Sequence, residues 1–96
     1  MIDLAKRLRI FSEEGFGMGY FVATENHIEF KLINTANDLR IDVTICFHEN
    51  VPKYFFRLAT DSESIYEGKV ETDGEMMSVS GEICNKVQEY KGAEGD

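Results

Sequence analysis

Apolar and polar residues alternate strictly over Leu39–His48, and this alternation predicts a β-strand with one buried face. The stretch reads LRIDVTICFH. Successive side chains of a strand point to opposite faces, so a period of two collects the apolar ones on a single face. The apolar positions are Leu39, Ile41, Val43, Ile45 and Phe47. This strand anchors the register of its predicted neighbours.

Four more strands are predicted, at residues 19–24, 27–34, 53–60 and 64–72. Each is short, rich in β-branched or aromatic residues, and bounded by turn-forming residues that include the single proline, Pro52. Because the connections between them are short, consecutive strands are expected to pair as antiparallel hairpins. The sequence therefore predicts a five-stranded meander.

Antiparallel pairing of these strands collects the apolar side chains on one face. The pairs expected to set the last three hairpins are Asn34 with Leu39, His48 with Lys53, and Thr60 with Ser64. A slip by one residue would turn the apolar side chains to the polar face, so the pattern disfavours it. On the polar face, unlike charges are expected to lie opposite each other: Lys31 with Asp42, Arg57 with Glu67, and Lys53 with Glu71.

Helical periodicity precedes and follows the predicted sheet. Residues 2–14 carry apolar side chains at helical spacing, with Asp3 in the first turn and Gly15 as the terminating residue. The glycine-rich run at residues 15–19 follows a helix rather than a strand, which favours a linker over a phosphate-binding loop. A second helix is predicted to begin at a capping box formed by Thr72 and Glu75, or at Asp73 alone as the cap, and to end at Lys91 and Gly92. Its apolar residues are Met76, Val79, Ile83, Val87 and Tyr90.

These elements predict an α+β fold. It has two layers, with an N-terminal helix, a five-stranded antiparallel meander and a C-terminal helix, and both helices lie on one sheet face. The chain has 96 residues, which is the size of one domain. We expect a single α+β domain over residues 1–92 and a disordered tail over residues 93–96.

The overall charge narrows the classes of partner. The formal net charge is −8, and nucleic acids and anionic membranes bind basic surfaces, so direct binding to either is not expected. An acidic chain is complementary to a basic protein, including the basic cleft of a nucleic-acid-binding protein. Two cysteines are too few for a disulfide scaffold, and neither a transmembrane span nor a signal-peptide core is evident. The expected location is cytoplasmic.

The predicted register brings histidine and cysteine side chains together on the polar face. His27 lies opposite Cys46, His48 is two residues from Cys46, and Phe55 is expected beside it. Nitrogen and sulfur are ligands that zinc prefers, so His27, Cys46 and His48 form a possible metal site. A polar sheet face that happens to carry these residues is the alternative, and the expectation is that no metal binds. A Cys–His nucleophile pair is disfavoured because nothing orients the histidine.

Most of the negative charge is concentrated in one segment. Residues 61–82 contain seven acidic residues and one lysine, a net charge of 1 − 7 = −6. Charge on an edge strand prevents edge-to-edge association, and it can equally guide a basic partner. The candidate partner-binding residues are Asp61, Glu63, Glu67, Glu71, Asp73 and Glu75.

The function expected from these observations is that of a small acidic, non-enzymatic protein-binding module. It would be an inhibitor, an antidote such as an immunity protein, or a mimic of nucleic acid, and it would dock on a basic protein surface without a cofactor. One alternative is a homodimeric adaptor or secretion-type chaperone that binds a peptide segment. Another is a small-molecule-binding or metal-binding domain that uses the sheet-face histidines.

Overall fold

The computed structural model describes residues 4–49 and 51–94, the last three by their backbone alone. Its helices and strands follow the predicted order. They are α1 (Leu4–Glu13), β1 (Gly17–Ala23), β2 (His27–Asn34), β3 (Leu39–His48), β4 (Val51–Ala59), β5 (Ser64–Val70) and α2 (Asp73–Glu94).

The strands form one antiparallel sheet in the order β1-β2-β3-β4-β5, which confirms the predicted meander. One face, here called the inner face, is covered by both helices and shares a single apolar core with them. In that core the ring of Phe11 from α1 meets the ring of Phe56 from β4 edge to face, with centroids 6.5 Å apart. The opposite, outer face carries the polar and charged side chains. The predicted two-layer α+β fold is therefore confirmed.

The register between β2 and β3 is the one that the alternation predicts. Asn34 pairs with Leu39 at the turn, and His27 pairs with Cys46 at the far end. The intervening inner-face pairs are all apolar: Ile28 with Ile45, Phe30 with Val43, and Leu32 with Ile41.

The predicted register between β3 and β4 is wrong by two residues. His48 pairs with Val51 rather than Lys53, so β4 begins at Val51 and Pro52 lies within it. Only two residues, 49 and 50, therefore separate the strands, and Glu49 has a positive φ of 51°, which two-residue hairpin connections require at their first position. A shift by two residues keeps every side chain on its original face, so the apolar pattern cannot detect it.

The pairing of β4 with β5 follows the prediction over most of its length. Arg57 pairs with Glu67, and Tyr54 pairs with Val70. The predicted pair at the turn, Thr60 with Ser64, is wrong, because an irregularity after Leu58 places Ala59 opposite Ser64. The strands accordingly end at Ala59 and Val70, earlier than predicted.

Strand β1 begins at Gly17, two residues before the predicted start, so part of the glycine-rich run is strand rather than linker. The register shifts between Met18 and Tyr20, which leaves Gly19 in a bulge. A Cβ atom on Gly19 would overlap the side chain of Ile33. Glycine lets the backbone of the bulge pass close to Ile33 without displacing the end of that side chain.

Helix α1 ends in the Schellman arrangement at the predicted glycine. Gly15 has φ of 96°, its N–H donates to the carbonyl of Ser12, and the N–H of Phe16 donates to the carbonyl of Phe11. Phe16 and Phe11 are both buried, which supplies the apolar contact that accompanies this cap. The helix ends at Glu13, one residue before the predicted end, and Asp3 lies outside the described residues.

Helix α2 begins at the predicted capping box. The N–H of Glu75 donates to the hydroxyl oxygen of Thr72, and that hydroxyl donates in return to the carboxylate of Glu75. The helix continues through Gly92 to Glu94, beyond the predicted end. Residues 93 and 94 of the predicted tail are the last residues of this helix, and residues 95–96, the rest of that tail, lie outside the described part of the chain.

Candidate functional site

All six predicted partner-binding residues lie along β5 and at its two ends, and every one of them is exposed. Strand β5 is an edge of the sheet. Two of the six carboxylates precede the strand, one lies on its outer face, one directly follows its last residue, and two lie in the first turn of α2. We call this set the acidic edge: Asp61, Glu63, Glu67, Glu71, Asp73 and Glu75.

The middle of the acidic edge is paired with cations of the same chain. Arg57 Nε lies 3.8 Å from Glu67, and Lys53 Nζ lies 3.5 Å from Glu71, as predicted. Lys69 Nζ also lies 3.3 Å from the carboxylate of Glu71.

At the end of the acidic edge that precedes β5, Arg40 lies 4.0 Å from the carboxylate of Asp61, but the side chain of Asp61 remains 83% exposed. Exposed ion pairs of this kind contribute little stability, so they leave the carboxylates available for exchange with an external cation.

These ion pairs lower the pKa of Glu71. The hydrogen bond from Lys69 is the main cause, followed by the charges of Lys69 and Lys53. Opposite charges nearby favour the ionised carboxylate. Glu71 therefore stays negatively charged to a lower pH than an isolated glutamate.

The two ends of the acidic edge carry carboxylates with no cation beside them among the described residues. Glu63 is in the β4–β5 turn. The hydroxyl oxygen of Thr60 accepts hydrogen bonds from the backbone N–H groups of Ser62 and Glu63, and these bonds fix the conformation of the turn. Asp73 is in the first turn of α2. The helix dipole at that position favours a negative charge. The strand between them spans about 20 Å at 3.3 Å per residue, so uncompensated negative charge lies at both ends of one edge.

The predicted cluster of histidines and cysteine lies on the outer face, but it does not form a set of metal ligands. His27 does pair with Cys46, and its Nε2 lies 3.3 Å from the carboxylate of Glu29 on the same strand. In the described part of the chain, no three His, Cys, Asp or Glu side chains are grouped so that they can hold a metal ion. The corrected register places Lys53 opposite Cys46, and Phe55 opposite Thr44. Phe55 is therefore diagonal to Cys46 rather than opposite it.

A shallow depression of about 700 Å³ lies on the outer face. Its floor holds an ion pair that the sequence interpretation missed, in which Arg40 Nε is 3.0 Å from Asp42 Oδ1. The predicted partner of Asp42 was Lys31, which is indeed opposite it in the register. The amino group of Lys31 instead lies over the ring of Tyr20, 5.5 Å from its centroid. The depression has charges of both signs in its lining, so it favours no single class of ligand.

The other edge of the sheet is a second surface that the sequence interpretation did not select. All seven residues of β1 are exposed, and none of them is charged. Phe21 points to the inner face and stacks on Phe30, yet it is 59% exposed because the helices do not extend over β1. The sequence did contain a sign of this surface, because the run GMGYFVA has no charged residue that would protect an edge strand from pairing with another strand.

Two further findings bear on the class of protein. Neither described helix combines the length and the apolar character that crossing a membrane requires. A scan against models of protein families, a search of curated proteins and a search of solved structures each found no match to this chain.

Proposed function

We propose that the protein is a non-enzymatic binding module that docks on a basic protein surface through its acidic edge. The observation that carries the proposal is the exposure of six carboxylates along one edge strand and its two ends. Such a module would act as an inhibitor, as an antidote to a toxin or nuclease, or as a mimic of nucleic acid. In each case it would occupy a cationic surface of its partner without performing chemistry.

Electrostatic attraction supports this proposal through the uncompensated ends of the acidic edge. Carboxylates at the periphery of an interface mainly accelerate association, because long-range attraction orients the partners before contact. Glu63 and Asp73 have no competing cation among the described residues, so they present the strongest local attraction. The paired carboxylates between them can exchange an intramolecular cation for one on the partner at little cost.

The proposal is tested by measuring association at several salt concentrations. The full chain is used to capture binding proteins from its native cell, and a purified captured protein is then studied by stopped-flow kinetics. We expect the association rate constant to fall steeply as salt increases, because screening shortens the range of the attraction. The double variant Glu63→Lys with Asp73→Asn should reduce that rate constant about tenfold at low salt.

A matched control changes the net charge equally at a distance from the acidic edge. Glu25→Lys with Glu13→Gln alters two exposed carboxylates, one in the β1–β2 turn and one near the end of α1. We expect its association rate constant to stay close to that of the unchanged chain. Equal effects of the two double variants, or a rate that does not depend on salt, would contradict the proposal.

A further inference from the structure

We propose that β1 pairs with β1 of a second copy of this chain, so that the two sheets join into one antiparallel sheet across a two-fold axis at Phe21. This surface is distinct from the acidic edge, at the opposite side of the sheet. The occupant is a second copy because the direction of the free backbone groups, the order of side chains and the charge of β1 all fit an identical strand.

The free backbone groups of β1 fit an axis at Phe21. The N–H of Thr24 donates to the carbonyl of His27 across the β1–β2 turn, at 2.7 Å. Hydrogen-bonded and non-hydrogen-bonded pairs alternate along an antiparallel ladder, so Phe21 and Ala23 direct their N–H and carbonyl groups away from β2. Among the described strands, β2 alone pairs with β1. Two copies of Phe21 facing each other could therefore exchange both of their free backbone hydrogen bonds.

The order of side chains in β1 is self-complementary around the same axis. With Phe21 opposite its own copy, Tyr20 lies opposite Val22 of the second copy, and Val22 lies opposite its Tyr20. Aromatic pairs and pairs of an aromatic with a β-branched residue are favourable across strands. The flanking residues, Gly19 and Ala23, are both small. An isologous contact of this kind closes as a dimer and does not extend further.

Charge distinguishes β1 from the other edge and favours an identical partner. The chain has a net charge of −8, so two copies repel each other overall. Strand β1 contains no charged residue, whereas β5 carries Glu67 and Lys69 on its outer face. Pairing through β1 keeps the two acidic edges at the far ends of the joined sheet. It therefore brings two like-charged molecules together at the edge where repulsion is weakest.

Dimerisation would also cover the apolar surface that the helices leave open. The ring of Phe21 contacts Phe30 on one side, with centroids 6.5 Å apart, and its other side is exposed. In the paired sheet the two Phe21 rings approach each other on the inner face. Both helical layers then lie on the same side of the joined sheet, with these rings between them.

The first test is the mass of the full chain in solution, measured by sedimentation equilibrium at micromolar concentrations. We expect a species of twice the 11.0 kDa of one chain. Val22→Lys should raise the dissociation constant at least about tenfold, because a charge on an edge strand opposes pairing. Val51→Lys is the matched control, since Val51 is more exposed than Val22 (57% against 36%) but lies on β4. It should leave the dissociation constant unchanged.

The second test locates the axis without relying on the stability of a charged variant. In a chain with Cys46→Ser and Cys84→Ser, we expect Phe21→Cys to form an intermolecular disulfide readily with oxidised glutathione. Residues facing each other in a hydrogen-bonded pair lie about 5.5 Å apart at Cα, which a disulfide can span. Met77→Cys, on the exposed side of α2, should cross-link far more slowly. A monomer at all concentrations, equal effects of the two lysine variants or equal cross-linking rates would overturn the proposal.

Discussion

Two glycines show how the same residue type has opposite roles at different positions. Gly68 lies on the inner face of β5, where a Cβ atom would come within 2.8 Å of Val79 Cγ1 on α2. Gly81 is in the interior of α2 and exposed, and a Cβ atom there would meet nothing within 4 Å. Gly81 therefore does not serve the packing of α2 against the sheet. Close packing of α2 on the sheet depends on Gly68 instead.

Alanine at these two glycines should change stability in opposite directions. Gly81→Ala is expected to raise the free energy of unfolding by about 0.5–1 kcal/mol, because glycine inside a helix loses more backbone entropy than alanine does. Gly68→Ala should lower it by about 1–3 kcal/mol, because the added methyl group displaces Val79. Urea unfolding followed by circular dichroism measures both. The same sign for both variants would contradict this account of the packing.

The carboxyl group of Glu71 should respond to removal of Lys69. The pKa of Glu71 is lowered from its ordinary value of 4.5, chiefly by Lys69. Lys69→Met should therefore raise that pKa toward 4.5, and Lys53→Met should raise it less. Carboxyl ¹³C chemical shifts measured against pH would show both changes. Lys86→Met is the control, because Lys86 pairs with Glu89 on α2, and it should leave the titration of Glu71 unchanged.

The sign of the pH effect follows from the lowered pKa. A carboxylate whose pKa is lower in the folded state stabilises that state above the pKa of the unfolded chain. Glu71 should therefore add stability above about pH 4.5, and this contribution should disappear as the pH falls through its lowered folded pKa. In Lys69→Met the dependence of stability on pH in this range should be shallower.

At the scale of elements, polar contacts fix the end of α1 against the rest of the fold. The side-chain amide of Asn34 donates to the carbonyl of Glu14, at 3.1 Å, and its oxygen accepts the N–H of Asn37. The carboxylate of Glu14 accepts a hydrogen bond from Gln88 of α2 at 2.6 Å, and Lys91 donates to the carbonyl of Glu14. Glu14 therefore joins the two helices.

Asn34→Ala tests the attachment of α1 to the sheet. Asn34 is 3% exposed, and its removal breaks two hydrogen bonds of a buried side chain. We expect the free energy of unfolding to fall by about 1–3 kcal/mol. Asn85→Ala, at an exposed position on α2, should change it by no more than about 0.5 kcal/mol. Thermal and urea unfolding of both variants would provide the comparison, and equal losses would argue against this role of Asn34.

At the scale of the whole molecule, the two edges of the sheet have opposite chemistry. Strand β5 and its ends are lined by carboxylates, and β1 is apolar and uncharged. Binding of a basic partner at β5 should weaken with salt, whereas pairing through β1 should not weaken, because salt also screens the repulsion between the two copies. The two proposals can therefore fail separately, since dimer mass and association rate are independent measurements.

The sequence by itself determined which face of each central strand is buried and which residues cap the helices. Alternation with a period of two determines which side chains of β2, β3 and β4 face the core. The helix caps at Thr72 and Gly15 form through hydrogen bonds between residues close in sequence, so they need no distant contact. It also determined that the six acidic residues would be exposed near one another, because they border a single predicted edge strand.

The tertiary structure alone decided three features. They are the register of β3 against β4, which differs by two residues from the predicted one, the ion pair between Arg40 and Asp42, and the exposure of β1. A shift by two residues preserves the face of every side chain, so turn geometry at Glu49 decides it rather than the apolar pattern. The partner of Asp42 depends on the side-chain conformations of Arg40 and Lys31, which the register alone does not set. How far the helices extend across the sheet depends on where they pack in three dimensions, and this left Phe21 exposed.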